Sequence, residues 1–219
     1  MSSWYKARQL NSASLTAAGT RLRSMTEAHS HVIYLDRSFR GDMGNRKEKC
    51  GAAYHKVRGQ PMDHITIHKL HATVLGLDKE VGYRQGRGAP RICNSRTVRF
   101  LPPDSECYCI EGEVEALLVH YHQGASAIER AANLHYGFVK IHPFDDGNGR
   151  VARVLALWVL HDHGYKNLSY EQFEKYIEIH RAGYDNSLDD GQLMYVGYKD
   201  APRSFVDFLE GFLLNQKRK

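Results

Sequence analysis

The sequence is poor in the residues that mark disulfide-rich, zinc-binding and membrane proteins. It has four cysteines and no CxxC pair, so neither a cysteine-rich zinc site nor a disulfide framework is expected. The longest apolar run, residues 154–160, is far shorter than the ~20 residues of a membrane span. The start of the chain also lacks the charged-then-apolar layout of a signal peptide. We therefore expect a cytoplasmic protein with reduced thiols and no membrane contact.

What remains is the composition of an ordinary globular protein, 42% hydrophobic and 25% charged over 219 residues. We predict one domain over residues 61–216, preceded by a helical segment and loop over 1–60. The loop is placed at 38–51, where the chain is polar and contains glycine. The net charge of +5 could indicate nucleic acid. However, the basic residues are scattered and form no nucleic-acid motif, so we do not expect a nucleic-acid partner.

Apolar residues at helical spacing predict a mainly α protein. The predicted helices cover 1–35 in one or two pieces, 65–77, 111–122, 127–141, 151–160, a segment capped by Ser169, and 205–214. Residues 83–103 are rich in arginine and proline and lack this spacing. Within them, 91–94 and 97–100 are strand-like pieces around a turn, which predicts a β-hairpin.

The loop at 142–150, between two predicted helices, breaks the rules for a structural connector. Gly147 and Gly149 lie at or inside the first turn of the second helix, where glycine costs roughly 0.5–1 kcal/mol against alanine. Arg150 and Arg153 are cations near a helix N-terminus, where the helix dipole disfavours positive charge. A bound anion explains both features, because glycine amides and arginine side chains can share one phosphate group.

Two further side chains of the loop suit phosphate chemistry. Asp146 is a hard oxygen ligand of the kind that Mg²⁺ takes together with substrate phosphates. His142, placed at the loop mouth by Pro143, is a titratable base. A purely structural alternative stays open for Asp146 and Asn148, since either residue could cap the second helix.

The segment from His142 to Arg153 resembles the signature of the Fic (Fido) domain family, His-x-Phe-x-(Asp/Glu)-Gly-Asn-(Gly/Lys)-Arg-x-x-Arg. Every specified position is filled. The resemblance implies a Fic-fold helical bundle with a short β-hairpin flap. It also implies a protein adenylyltransferase, an enzyme that transfers AMP from ATP to a Ser, Thr or Tyr hydroxyl of a target protein.

The family's roles carry over residue by residue. His142 would take the proton of the target hydroxyl, and Asp146 would hold Mg²⁺ or Mn²⁺ against the α- and β-phosphates. Arg153 would reach the outer phosphate. Tyr184, in a segment similar to the family's Asn-Arg-x-x-Tyr-Tyr, would lie near the nucleotide base. The implied nucleotide-binding set is Asp146, Gly147, Asn148, Gly149, Arg150, Arg153 and Tyr184.

The predicted hairpin follows Gly82-Tyr83-Arg84, which is similar to the family's Gly-x-Tyr-Arg entry to the flap. In the family the flap pairs edge-on with the backbone of the target protein. Ile92, Cys93 and Asn94 are the flap contacts that this implies. The alternative is an ordinary surface hairpin.

The sequence leaves open how the activity is inhibited and which group is transferred. Family members are often inhibited by a glutamate four residues after a Ser or Thr, which pairs with the second motif arginine, here Arg153. The sequence contains no such spacing, so either a separate inhibitory partner chain or a divergent segment near 20–45 would serve, and a homodimer is a further alternative. The same site could transfer UMP, phosphocholine or phosphate, or remove AMP. A non-catalytic basic binding module is the remaining alternative.

Overall fold

The computed structural model describes residues 32–34, 43–85, 91–94 and 97–217, with side chains within 45–85 and 100–216. These residues form helices joined by short loops and a small three-stranded sheet. In chain order the elements are β1 Val32–Tyr34, α1 Met43–Val57, α2 His64–Leu75, β2 Arg91–Asn94, β3 Thr97–Phe100, α3 Ile110–His120, α4 Ala127–Ile141, α5 Asn148–Asp162, α6 Tyr170–Ile179, α7 Arg181–Ser187 and α8 Arg203–Lys217.

Helix α5 forms the centre of the fold. Each residue from 154 to 160 is at most 2% exposed, as its apolar run predicts. Helix α4 packs along α5, while α1, α2 and α6 surround it. Helices α3 and α8 pack against α4. The loop at 142–150 therefore joins the two helices at the middle of the bundle, and burial of α5 holds one end of that loop in place.

The predicted starts of α2, α4 and α6 agree with the structure to within a residue because side-chain caps fix them, whereas α5 has no side-chain cap and begins at Asn148 instead of residue 151. Helix α2 begins after Asp63, whose carboxylate accepts from the backbone N–H of Thr66 at 2.8 Å, and ends at Gly76 in the left-handed region. Ser126 opens α4 with a capping box, and Ser169 opens α6 in the same way.

The loop prediction for 38–51 is wrong over residues 43–51, which lie in α1. Cys50, Ala53, Tyr54 and Val57 are at most 4% exposed and form the i, i+3, i+4, i+7 face of that helix. The polar first turns of α1 hid this short apolar face. The helix predicted over 1–35 is described only at 32–34, which is a strand, and the rest of 1–42 lies outside the described residues.

The strands lie side by side in the order β1-β2-β3. Strand β1 runs parallel to β2, and β2 and β3 are antiparallel, with Cys93 opposite Val98 and Asn94 opposite Thr97. Apart from Phe100, the side chains of these strands lie outside the described residues. The use of β2 and β3 as a flap and the domain boundary near residue 60 therefore stay predictions. No helix in the described ranges has the length and hydrophobicity to cross a membrane.

Candidate active site

His142 ends helix α4 in an unusual backbone conformation. Its φ of 51° and ψ of 59° lie in the left-handed region, and within the described residues it is the one non-glycine with positive φ. This conformation costs an L-residue roughly 1–2 kcal/mol. It turns the chain sharply after α4, and the surrounding contacts must compensate for its cost.

Arg84 provides those contacts by donating hydrogen bonds to the carbonyl groups at the end of α4. Its Nε donates to the carbonyl oxygen of His142 at 2.7 Å, and its Nη2 donates to those of Ile141 at 3.1 Å and Pro103 at 2.6 Å. The backbone N–H of Arg84 donates to the carbonyl of Pro143 at 2.9 Å. Arg84 is 6% exposed, and burial lowers its pKa to about 10, so the guanidinium stays charged at neutral pH. Sequence similarity predicted Arg84 only as part of the entry to the flap, and its contacts with the backbone of His142 were not predicted.

The imidazole of His142 is arranged to act as a neutral base. Its Nδ1 lies 3.4 Å from the carbonyl oxygen of Val139. Since a carbonyl only accepts, Nδ1 carries the hydrogen and Nε2 carries the lone pair. His142 is 7% exposed, and burial lowers its pKa to about 4. The ring is therefore uncharged at neutral pH and available to accept a proton.

The N-terminus of α5 is open to an anion. The helix begins at Gly147, with φ 84° and ψ −3°, and no side chain caps it, so neither Asp146 nor Asn148 is the cap. The first amides of a helix lack intrahelical partners and carry partial positive charge. A Cβ on Gly149 would lie 3.4 Å from Arg153 Nη1, so the second motif arginine lies next to the first turn of α5.

Asn148 fixes the shape of the loop rather than presenting its side chain. It is 2% exposed, its Oδ1 accepts from the backbone N–H of Phe144 at 2.9 Å, and its Nδ2 donates to the carbonyl of Phe144 at 2.7 Å. Both ends of the amide are therefore used within the loop. Only the backbone N–H of Asn148 is left to contribute to an anion site.

Asp146 presents its carboxylate at the surface next to this N-terminus. The side chain is 78% exposed, and Oδ2 accepts from Arg150 Nη2 at 2.9 Å. Oδ1 accepts from the backbone N–H of Gly147 at 2.6 Å. An exposed oxygen ligand beside open amides fits a divalent cation that is shared with phosphates.

Arg153, in contrast, is already paired inside the protein. Its Nε lies 2.8 Å from Glu174 Oε2 and 3.2 Å from the hydroxyl of Tyr170 on α6. Burial is the largest single influence and disfavours the charged form of Arg153, but Glu174 together with Tyr170 and Tyr184 raises its pKa above the usual value. Glu174 was missed by the sequence reasoning, since its distance from the motif along the chain gives no signal. An outer phosphate would have to compete with Glu174 for this guanidinium.

Tyr184 lies in the interior beside the same arginine. It is 5% exposed, and its hydroxyl is 3.1 Å from Nε2 of His135. Burial raises the pKa of Tyr184, and Arg153 opposes that shift. The predicted contact of Tyr184 with a nucleotide base stays a prediction, as do the contacts of Ile92, Cys93 and Asn94 with a target.

The fold and the loop together define a helical protein with an open helix N-terminus beside a neutral imidazole. Residues 61–160 match the Fic/DOC family. A solved Fic family protein from Desulfovibrio desulfuricans has a similar fold, with a TM-score of 0.63 and 23% identity over 80% of this chain and 52% of that one. These similarities support a Fic domain within this chain.

Two curated relatives match a shorter stretch. A uridine 5'-monophosphate transferase of Xanthomonas campestris is 49% identical over 45 residues, which are 20% of this chain and 8% of that protein. A probable protein adenylyltransferase of Aquifex aeolicus is 36% identical over 61 residues, 28% of this chain and 19% of that protein. The matched stretch thus spans less than a fifth of either relative.

Proposed function

We propose that the protein transfers AMP from ATP to a Ser, Thr or Tyr hydroxyl of a target protein. The observation that carries this proposal is the neutral His142 held beside the uncapped N-terminus of α5. A base and an anion site in this arrangement suit attack of a hydroxyl on a phosphate. The relationship to the Fic/DOC family and to a probable protein adenylyltransferase supports AMP as the transferred group.

In this mechanism the hydroxyl oxygen attacks the α-phosphorus of ATP. Nε2 of His142 takes the hydroxyl proton, the new oxygen–phosphorus bond forms, and the bond to the bridging oxygen of the β-phosphate breaks. Pyrophosphate leaves with the electron pair of that bond. The charge that develops on the α-phosphate is stabilised by the first amides of α5 and by Arg150.

Asp146 would hold a divalent cation, Mg²⁺ or Mn²⁺, which supplies charge neutralisation at the phosphates when bound. Residues of the chain itself position the reacting groups. Arg84 keeps the backbone of His142 in place, and Asn148 keeps the loop closed, so ATP and hydroxyl meet a site that is already formed. The target would dock its backbone along β2 and β3, with Ile92, Cys93 and Asn94 as its contacts.

A second candidate is transfer of UMP from UTP by the same residues. It is favoured by the similarity of residues in this chain to a uridine 5'-monophosphate transferase. The amides of α5 recognise phosphate and not the base, so the site chemistry described above serves either donor.

The test is incubation of the chain and of candidate targets with ATP, UTP or GTP plus Mg²⁺, followed by intact and peptide mass spectrometry. AMP addition to a hydroxyl side chain, lost in His142→Ala, is expected. The variant should still bind ATP, because the α5 amides are unchanged. Transfer from UTP alone would select the second candidate. Equal labelling by His142→Ala would remove the histidine from the proposed role.

A further inference from the structure

The peptide between Asp146 and Gly147 can face two ways, and glycine does not decide between them. The φ of 84° and ψ of −3° at Gly147 match the third residue of a type II turn. Type I and type II turns differ mainly in the direction of the peptide before that residue. Because a peptide is planar and trans, its carbonyl and its N–H point opposite ways. Whatever holds the carbonyl of Asp146 therefore sets the direction of the N–H of Gly147.

His71, on helix α2, holds that carbonyl. Its Nε2 lies 2.9 Å from the carbonyl oxygen of Asp146. Because a carbonyl only accepts, Nε2 carries the hydrogen. The ring also lies flat on Phe144, with centroids 3.7 Å apart and planes 8° apart. His71 thus contacts the loop at two points and is 2% exposed.

Histidine at position 71 also buries a polar atom without a partner, which costs stability. Nδ1 of His71 is buried and has no hydrogen-bond partner among the described residues. A leucine would pack against Phe144 without burying an unpaired polar atom. What histidine adds over leucine at this position is the bond from Nε2 to the loop.

We propose that His71 is a positioning residue, whose Nε2–H holds the Asp146–Gly147 peptide with the N–H of Gly147 facing the phosphate site. In the structure that N–H donates to the exposed carboxylate of Asp146, 2.6 Å from Oδ1, so an incoming phosphate oxygen would replace Oδ1 as its acceptor. Without the bond from His71, the peptide can rotate and present its carbonyl to the anion instead. The inference rests on the proposed function, since the amide serves only where phosphate binds.

The test compares His71→Gln, which keeps a donor near the position of Nε2, with His71→Leu, which removes it. His68→Leu is the matched control, because His68 is on the same helix and packs edge-on against Phe144 at 5.7 Å. The probe is inorganic pyrophosphate with Mg²⁺, titrated into ¹⁵N-glycine-labelled protein. We expect His71→Leu to bind pyrophosphate about tenfold more weakly and to shift the Gly147 amide signal before any ligand is added. His71→Gln and His68→Leu should stay within about threefold of wild type.

Wild-type affinity in His71→Leu would overturn the inference. So would a His71→Gln variant as weak as His71→Leu, because stacking alone would then explain the effect. If the variants do not fold, the imidazole tautomer of His71 in the wild-type protein decides, measured by long-range ¹H–¹⁵N correlation. The Nε2–H tautomer is expected. The Nδ1–H tautomer would overturn this inference but not the proposed function. A wild-type protein that binds neither pyrophosphate nor ATP would overturn the proposed function instead.

Discussion

Replacing Arg84 tests how the backbone of the base is held. Arg84→Met leaves the carbonyl oxygens of Ile141, His142 and Pro103 without their donor. Each buried unpaired carbonyl costs about 1–3 kcal/mol, while removal of a buried cation returns part of that cost. We expect Arg84→Met to lower the free energy of unfolding by about 3 kcal/mol in total. For a chain of this size this lowers Tm by about 6–12 °C.

Arg84→Lys separates the charge from the geometry. A lysine ammonium keeps the charge but cannot reach all of these carbonyls from one fixed plane, so we expect an intermediate Tm. The larger effect should be on transfer. A displacement of about 1 Å at a reacting group can cost about 10²-fold in rate, and the strained backbone of His142 is what Arg84 supports.

The assay measures Tm by differential scanning fluorimetry and initial transfer rates at least 15 °C below the lowest Tm. Arg203→Met is the control, because Arg203 forms its ion pairs on the surface, with a side chain 67% exposed. It should keep both the wild-type Tm and rate. An Arg84→Lys variant with wild-type Tm and wild-type rate would refute the reasoning.

Three other perturbations follow from the site. Gly147→Ala should lower Tm and weaken ATP binding, because φ is 84° and the added Cβ would lie 3.2 Å from a leucine of α2. Gly164→Ala is the control, since Gly164 has φ 102° but no atom within 4 Å of the added Cβ. It introduces only the backbone strain and should lower Tm less. Glu174→Gln removes the carboxylate that pairs with Arg153. Calorimetry should then show a lower Tm without ligand but tighter ATP binding. Weaker ATP binding would contradict the competition of Glu174 and the outer phosphate for Arg153. Burial lowers the pKa of His142 to about 4, so the transfer rate should stay level from pH 8 to 5.5, whereas a histidine titrating near 6.5 would give a falling rate over that range. The same shift means that the unfolded chain gains a proton before the folded one, so the stability of the wild type should fall as pH drops from about 6.5 toward 4, and less steeply in His142→Ala.

The elements around the site were predictable because their signals are local. Helices α4 and α5 follow from apolar spacing, and the loop between them from Pro143 and two glycines. Capping serines are read directly from sequence, as Ser126 and Ser169 are. In each case the residues that decide the structure lie within a turn or two of each other.

The supports of the site were not predictable for the opposite reason. Arg84 contacts His142 across 58 positions, and His71 contacts Asp146 across 75. Nothing near Glu174 in the sequence indicates that it faces Arg153. Helix α1 was missed because its buried face appears only in its last turns. At α5, Gly147 with its positive φ occupies the cap position, so the alternative of a cap by Asp146 or Asn148 does not hold. Long-range contacts and backbone geometry leave no periodic trace.

Arg84 precedes β2 along the chain and Pro103 follows β3, yet one guanidinium joins Pro103 to the carbonyls that end α4. The segments before β2 and after β3 are thus joined through Arg84 to the turn that carries His142. A change at Arg84 would therefore disturb the segment after β3 and the turn at His142 together.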